Sequence, residues 1–187
     1  MSEEQDEKSR QDLGERFPIV IVPYDPFWPE RYQQEEARLR GWFDATLMPR
    51  IEHIGSSAVP GLAAKATIDI LCQIRSFEEA REVIVPVLET EGYFCNLREN
   101  PSADHIAFWW GYFPDQPIRV HLHLAPEGHT LFDTLVFRDW LRTHRETARD
   151  YEELKRKLEV EYRNDRDGYT EAKGDFIRQV LELARGG

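Results

Sequence analysis

One stretch constrains this chain more than any other: Ile51 to Ile74, IEHIGSSAVPGLAAKATIDILCQI. It reads as a short strand at Ile51–Ile54, a small-residue turn at Gly55-Ser56-Ser57, a loop punctuated by Pro60-Gly61, and a second strand at Thr67–Ile74. Glycine permits close backbone approach, and the N–H and hydroxyl groups of such a turn can hold an anion. The second strand carries one acid, Asp69, in a largely apolar run. A carboxylate buried there without a partner is strongly unfavourable, so Asp69 needs a partner, a metal or a chemical role.

The rest of the chain supplies elements to pack around this unit. Residues 1–16 are almost wholly polar and charged and read as a disordered tail, which leaves 17–187 as a single domain. Ile19–Val22 reads as a short strand. Asp25-Pro26-Phe27-Trp28-Pro29 opens a helix expected to run to about Leu47. Ser76-x-x-Glu79 is a capping box for a helix whose apolar face comprises Phe77, Ala80, Val83, Ile84, Val87 and Leu88; Pro86 should kink it and Gly92 end it. Strands follow at Tyr93–Leu97, His105–Phe113 and Ile118–Leu124, with a loop at Arg98–Asp104 and a turn at Pro114–Pro117 making the last two a hairpin. Three helices are expected at the C-terminus, over Leu131–His144, Glu146–Tyr162 and Tyr169–Ala184. This order implies an α+β fold with a mixed or antiparallel sheet of about five strands, packed helices and a helical C-terminal segment.

Charge excludes some functions. A net charge of −11 argues against non-specific nucleic-acid binding, which needs clustered Lys and Arg, but leaves room for a local basic pocket. No apolar run is long enough to span a membrane, and the N-terminus lacks the apolar core of a secretory signal, so the cytoplasm is the expected location. Cys72 and Cys95 fit no metal or redox spacing, and Cys72 reads as a small core residue.

Strand alternation assigns the candidate site. In Thr67–Ile74, Asp69 lies on the face opposite Ile68, Ile70, Cys72 and Ile74; in Ile118–Leu124, Arg119, His121 and His123 share the face opposite Val120 and Leu122. If these strands are neighbours, Asp69 meets Arg119, His121 and His123. The two imidazoles then stand about 7 Å apart at their Cα atoms. With Asp69 they form a two-histidine, one-carboxylate set suited to a metal. A non-metal ligand pocket and a merely polar strand face are the alternatives. Lys65, in the loop before the strand, either counters phosphate charge or is solvated. His53, before the turn, reads as a hydrogen-bonded structural residue. Arg138, Arg142 and Arg145 form a basic helical stripe, which is either a phosphate clamp or a surface ion-pair network. Tyr169 and Lys173 share a helix face and either close the site or form a surface pair. The aromatic run Phe108, Trp109, Trp110, Tyr112, Phe113 is read chiefly as packing, and Lys155-Arg156-Lys157 as a solvated helix face.

Two resemblances meet in the central stretch. The layout of a hydrophobic strand, Gly-Ser, about ten residues and an acid-bearing strand resembles polymerase-β-like nucleotidyltransferases. The strings HIGSSAVPGLAAK…IDI, VPYDPFWPERY and FRDWLR…YEELK more closely resemble the GrpB family, small proteins with a nucleotidyltransferase-like fold and no settled activity. The resemblance covers about residues 19–182. It implies a nucleotidyltransferase-like fold in which Gly55, Ser56 and Ser57 cradle the phosphates of a nucleotide or other phosphorylated small molecule. It also implies Asp69, with His121 and His123, as catalytic or metal-binding groups for Mg²⁺, Mn²⁺ or Zn²⁺, and Lys65, Arg119 and Arg138 as phosphate ligands. The chain departs from the nucleotidyltransferase pattern at two of its three acids. Position 67 is Thr, and the later strand offers His121 and His123. Two-metal transfer needs those carboxylates. A catalytically degenerate binding or accessory protein of the same fold is therefore the second reading.

Overall fold

Thr67–Ile74 and Arg119–Pro126 alternate apolar and polar residues strictly enough to build a sheet with one dry face, and they form its centre. The computed structural model describes residues 14–98, 105–112 and 118–186. In chain order the elements are α1 (Trp28–Trp42), β1 (Ile51–Ile54), β2 (Thr67–Ile74), α2 (Phe77–Glu79), α3 (Val85–Thr90), β3 (Phe94–Cys95), β4 (Ile106–Trp110), β5 (Arg119–Pro126), α4 (Asp133–Thr143), α5 (Arg145–Glu161), α6 (Arg166–Glu171) and α7 (Gly174–Gly186). The five strands are ordered β1-β2-β5-β4-β3, with β2 and β5 parallel and the other pairs antiparallel. This is the α+β architecture expected from the sequence, with a mixed sheet.

The dry face carries Ile68, Ile70, Cys72 and Ile74 of β2 and Val120, Leu122 and Leu124 of β5. It packs against Trp28 and Leu39 of α1, Phe43 just beyond it, and Ala80, Ile84 and Leu88. Each such side chain contributes about 1.5–3 kcal/mol when fully buried. The C-terminal helices cover part of the other face through Leu131 and Leu135 on Ile54, Leu71 and Ala125, and through Leu141 and Tyr151 on Val59 and Leu62.

Several sequence expectations shift in detail. Ile19–Val22 forms no sheet strand; only Val22 bridges Ala64. Two of its other amides go to the C-terminal segment, Ile19 N–H to the Arg163 carbonyl (2.8 Å) and Ile21 N–H to Glu159 Oε1 (3.0 Å). Helix α1 stops at Trp42, where the Asp44 carboxylate accepts from Thr46 and Leu47 N–H and organises a turn instead. Ser76 Oγ caps Glu79 N–H at 3.1 Å as the capping box predicts. A π turn at Ala80–Ile84 precedes Pro86 and absorbs the proline, turning Val83 outward (40% exposed). The strand expected at Tyr93–Leu97 shortens to Phe94–Cys95, followed by a 3₁₀ turn at Asn96–Arg98. The third C-terminal helix is interrupted at Ala172-Lys173, giving α6 and α7. Of the expected tail, residues 1–13 lie outside the described residues, whereas 14–16 form a helical turn. The loop at 99–104 and the turn at Pro114–Pro117 also lie outside them.

Candidate functional site

The parallel pairing of β2 with β5 sets Thr67 opposite Arg119, Asp69 opposite His121 and Leu71 opposite His123. The polar residues therefore share the sheet face that the C-terminal helices only partly cover, as the alternation predicts. His121 Nδ1 lies 3.1 Å from Asp69 Oδ1, with the side chains 15% and 28% exposed. Burial opposes ionisation of Asp69. The hydrogen bond from His121 and the charges of His121, His123 and Lys65 outweigh it and hold the carboxyl below its ordinary range. His121 Nε2 lies 2.8 Å from the Tyr112 hydroxyl, and Arg166 Nη1 donates to that oxygen at 3.3 Å. Tyr112 and Arg166 thus join a chain of hydrogen bonds ending on Asp69. Asp69, His121 and His123 each offer a ligand atom within 4.8 Å of the others. Burial lowers the His123 pKa to about 4, against the pull of Asp69, and its Nδ1 is buried with no partner among the described residues.

The anion-turn geometry is selective. Gly55 has φ +72°, and a Cβ there would meet Asp69 Oδ2 at 2.6 Å, so glycine is what lets the turn rest against the carboxylate. Ser56 interacts with the Tyr151 hydroxyl. The Ser57 hydroxyl is buried and bonded to His53 Nε2 at 3.1 Å, which ties it to the protein interior. His53 is itself buried and stacked on Tyr32 at 4.8 Å, and burial pushes its pKa down to about 4, in keeping with a structural role.

Arg138 is occupied elsewhere than the phosphate-ligand expectation places it. It is buried, donates to the Glu52 carboxylate and the His53 carbonyl (both 2.8 Å), and pairs with Asp139. Arg142 donates Nε and Nη2 to the Ala58 carbonyl at 3.0 and 2.8 Å. These two arginines tether α4 to β1 and to the turn and are structural, whereas Arg145, the third of the stripe, is exposed at the start of α5. Glu52, the other nearby acid, is neutralised by Arg50 and Arg138.

Other cations converge on Asp69. Lys65 Nζ lies 5.3 Å and Lys173 Nζ 4.4 Å from the Tyr169 ring centroid. Arg119 lies 5.1 Å from both the Phe17 and the Tyr112 centroids, and Arg166 lies 5.4 Å from Tyr112. Arg119 Nε is buried without a partner among the described residues. Among those residues none of the four has a carboxylate within ion-pair distance, whereas Arg38, Arg50, Arg156 and Arg178 each have one. Burial, with Lys65 adding repulsion and Asp69 opposing it, lowers the Lys173 pKa to about 7; Lys65 is lowered likewise, by burial and by Arg166 and Arg119.

Sequence reading missed Arg166, whose helix it placed in a loop, and Tyr112, which it pooled with packing aromatics. It also misread Lys155, which is 2% exposed and donates to the Ala63 carbonyl. Its signal was available: Tyr151, Lys155 and Leu158 share one helix face at i, i+4, i+7.

Known proteins resemble this chain along most of its length. The family described as GrpB protein matches residues 18–183. A UPF0157 protein of Pseudomonas aeruginosa is 38% identical over 89% of this chain and 67% of its own length. A UPF0157 protein of Halalkalibacterium halodurans is 33% identical over 89% of this chain and 82% of its own length. A protein of Mycolicibacterium paratuberculosis named dephospho-CoA kinase is 29% identical over 90% of this chain, which spans only 46% of that protein. The crystal structure of the conserved protein GrpB from Enterococcus faecalis superposes with a TM-score of 0.75 at 28% identity, covering 88% of this chain and 96% of that one. By sequence and by fold, the chain belongs to the GrpB family.

Proposed function

We propose that the protein binds a nucleotide or other phosphorylated small molecule in the cleft around Asp69. One observation carries this reading. In a chain of net charge −11, Lys65 and Lys173 stand within electrostatic reach of Asp69, Arg119 and Arg166 act on Lys65, and none of the four has a carboxylate within ion-pair distance among the described residues. Like charges brought together at a partly buried site repel one another, and an anionic ligand relieves that repulsion. The occurrence of a related segment within a protein named dephospho-CoA kinase adds weight, since that name puts phosphate chemistry in the same polypeptide.

Binding is better supported than two-metal nucleotidyl transfer. Asp69 is the sole carboxylate in the candidate metal cluster among the described residues, and Glu52 is committed to arginines. The residues therefore do not fit a pair of Mg²⁺ ions. One carboxylate and two imidazoles fit a single transition ion such as Zn²⁺, and the orphaned His123 Nδ1 favours that donor set. Such an ion supplies Lewis acidity to a bound phosphate. The protein's own groups orient the ligand: the lysines and arginines fix the anion, and with an ion on His121 Nδ1 the ring's Nε2 remains free to bond the Tyr112 hydroxyl.

Thermal melting with a panel of nucleotides and phosphorylated metabolites, each with Mg²⁺, Zn²⁺ or chelator, tests the reading. A ligand at a hundredfold its Kd adds about 2.7 kcal/mol of stability. A shift with phosphorylated compounds that is lost in Lys65→Gln supports the proposal. Absence of a shift across the whole panel overturns it. A shift that needs Zn²⁺ and vanishes in Asp69→Asn assigns the metal set as well.

A further inference from the structure

The four cations are arranged as two pairs, each backed by one tyrosine. Lys65 and Lys173 flank Tyr169, and Arg119 and Arg166 flank Tyr112. Arg166, the first residue of α6, supplies one member of the arginine pair, and Lys173, two residues past the end of α6, one member of the lysine pair. Seven positions separate Arg166 from Lys173, and the Ala172 N–H to Gly168 carbonyl bond (2.9 Å) carries a near-helical backbone past the end of α6, so their Cα atoms stand about 10 Å apart at that rise. A lone phosphate is too small to engage both ends of that span.

Asp69 stands within electrostatic reach of the lysine pair, acting on Lys65 and Lys173, and of Tyr112, the ring the two arginines flank. Its negative charge repels a phosphate from the middle of the cleft and directs anionic groups to either side. The two sides also differ in chemistry. Lysines present compact, rotatable charges, whereas arginines present planar forks suited to bidentate phosphate contact. Arg119 Nε already stands buried and unmatched on the arginine side.

We propose that the cleft takes a small molecule bearing two separate phosphate groups, one held by Lys65 and Lys173 and the other by Arg119 and Arg166, with α6 and the turn that follows it spanning the two. This rests on the phosphorylated-ligand reading above and narrows it. A polyphosphate chain and a metabolite phosphorylated at two positions share the required chemistry.

Isothermal titration at fixed ionic strength tests it with four probes: orthophosphate, tripolyphosphate, fructose 6-phosphate and fructose 1,6-bisphosphate. At least one of the two larger anions should bind about tenfold or more tightly than its single-phosphate counterpart, the scale of one additional charged hydrogen-bonded contact. Tighter binding of tripolyphosphate identifies a polyphosphate chain, and tighter binding of the bisphosphate identifies separated phosphates. Arg166→Gln and Lys173→Gln should each bring that preference close to unity. Arg166→Lys and Lys173→Arg should restore part of it, and Lys157→Gln, at an exposed position on α5, should leave it intact. Thermal melts establish that each variant is folded. A ratio near unity in the unaltered protein, or a ratio that survives both glutamine variants, overturns the two-phosphate proposal while leaving phosphate binding standing. Failure of every probe to bind overturns the broader reading and this one with it.

Discussion

Lys155 provides a quantitative test of how the cationic side of the cleft is built. Its side chain is 2% exposed, its ammonium donates to the Ala63 carbonyl, and Nζ lies 5.0 Å from the Tyr151 centroid. Burial lowers its pKa from 10.5 to about 7; Glu152 opposes the shift, while Lys173, Arg156 and Lys65 add to it. Between those values the unfolded chain holds the proton more tightly than the folded one, so stability rises as pH rises from 7 toward 10.5. The interval corresponds to about 4 kcal/mol of destabilisation at pH 7 and about 2 kcal/mol at pH 9. Lys155→Met keeps the apolar stem and removes the charge, but leaves the Ala63 carbonyl without its donor, which costs about 1–3 kcal/mol. The variant should therefore be more stable than the unaltered protein at pH 7 by about 1–3 kcal/mol. That advantage should shrink by about 2 kcal/mol at pH 9. Urea denaturation of both proteins at the two pH values and matched ionic strength measures the difference. Lys65 and Lys173 are common to both proteins, so their own titration largely cancels. Parallel pH profiles would refute the argument, since they would mean that Lys155 carries its charge in the fold at no penalty.

Other perturbations separate site from scaffold. Gly55→Ala forces a side chain into a left-handed backbone and against Asp69 Oδ2, and should lower stability by about 1–2 kcal/mol or more and weaken phosphate binding; chemical denaturation and a phosphate titration read the two effects. Arg138→Met leaves Glu52 and the His53 carbonyl short of a partner at the α4–β1 junction and should cost about 3–5 kcal/mol. Arg119→Gln should instead act on binding, and equal losses of stability in the two would contradict the division of roles. His53, whose pKa falls from 6.5 to about 4 through burial, must be neutral in the fold. Folding stability should accordingly drop as pH falls from about 6.5 toward 4, and His53→Gln should remove about half of that slope in an acid titration followed by circular dichroism, His123 supplying the rest.

The legible part of the site is the part carried by local periodicity. Alternation in β2 and β5 assigned Asp69, Arg119, His121 and His123 to polar faces, because side-chain direction along a strand depends only on residue parity. Whether those faces met depended on strand adjacency and register, which the parallel β2–β5 pairing supplied. The Ser76 cap and the Gly92 stop were readable for the same local reason. Arg138 was not. A basic stripe has the same sequence whether its guanidinium faces a ligand or, as here, a strand carbonyl and a glutamate across the core.

The amino-acid sequence by itself determined the two central strands β2 and β5 and their neighbours β1 and β4, most of the helices, the glycine turn beside Asp69 and the identity of the sheet-borne polar groups, since each follows from short-range sterics and repeat period. Only the tertiary structure decided which cations surround Asp69. Lys173 reaches Tyr169 from the break between α6 and α7, Arg166 reaches Tyr112 across the chain, and Lys155 is turned inward by packing on Tyr151. The contacts of Arg166 with Tyr112, of Lys65 with Tyr169 and of Lys155 with the Ala63 carbonyl join residues far apart in sequence. Their pairing is set by how the C-terminal helices close over the sheet, which no local pattern encodes.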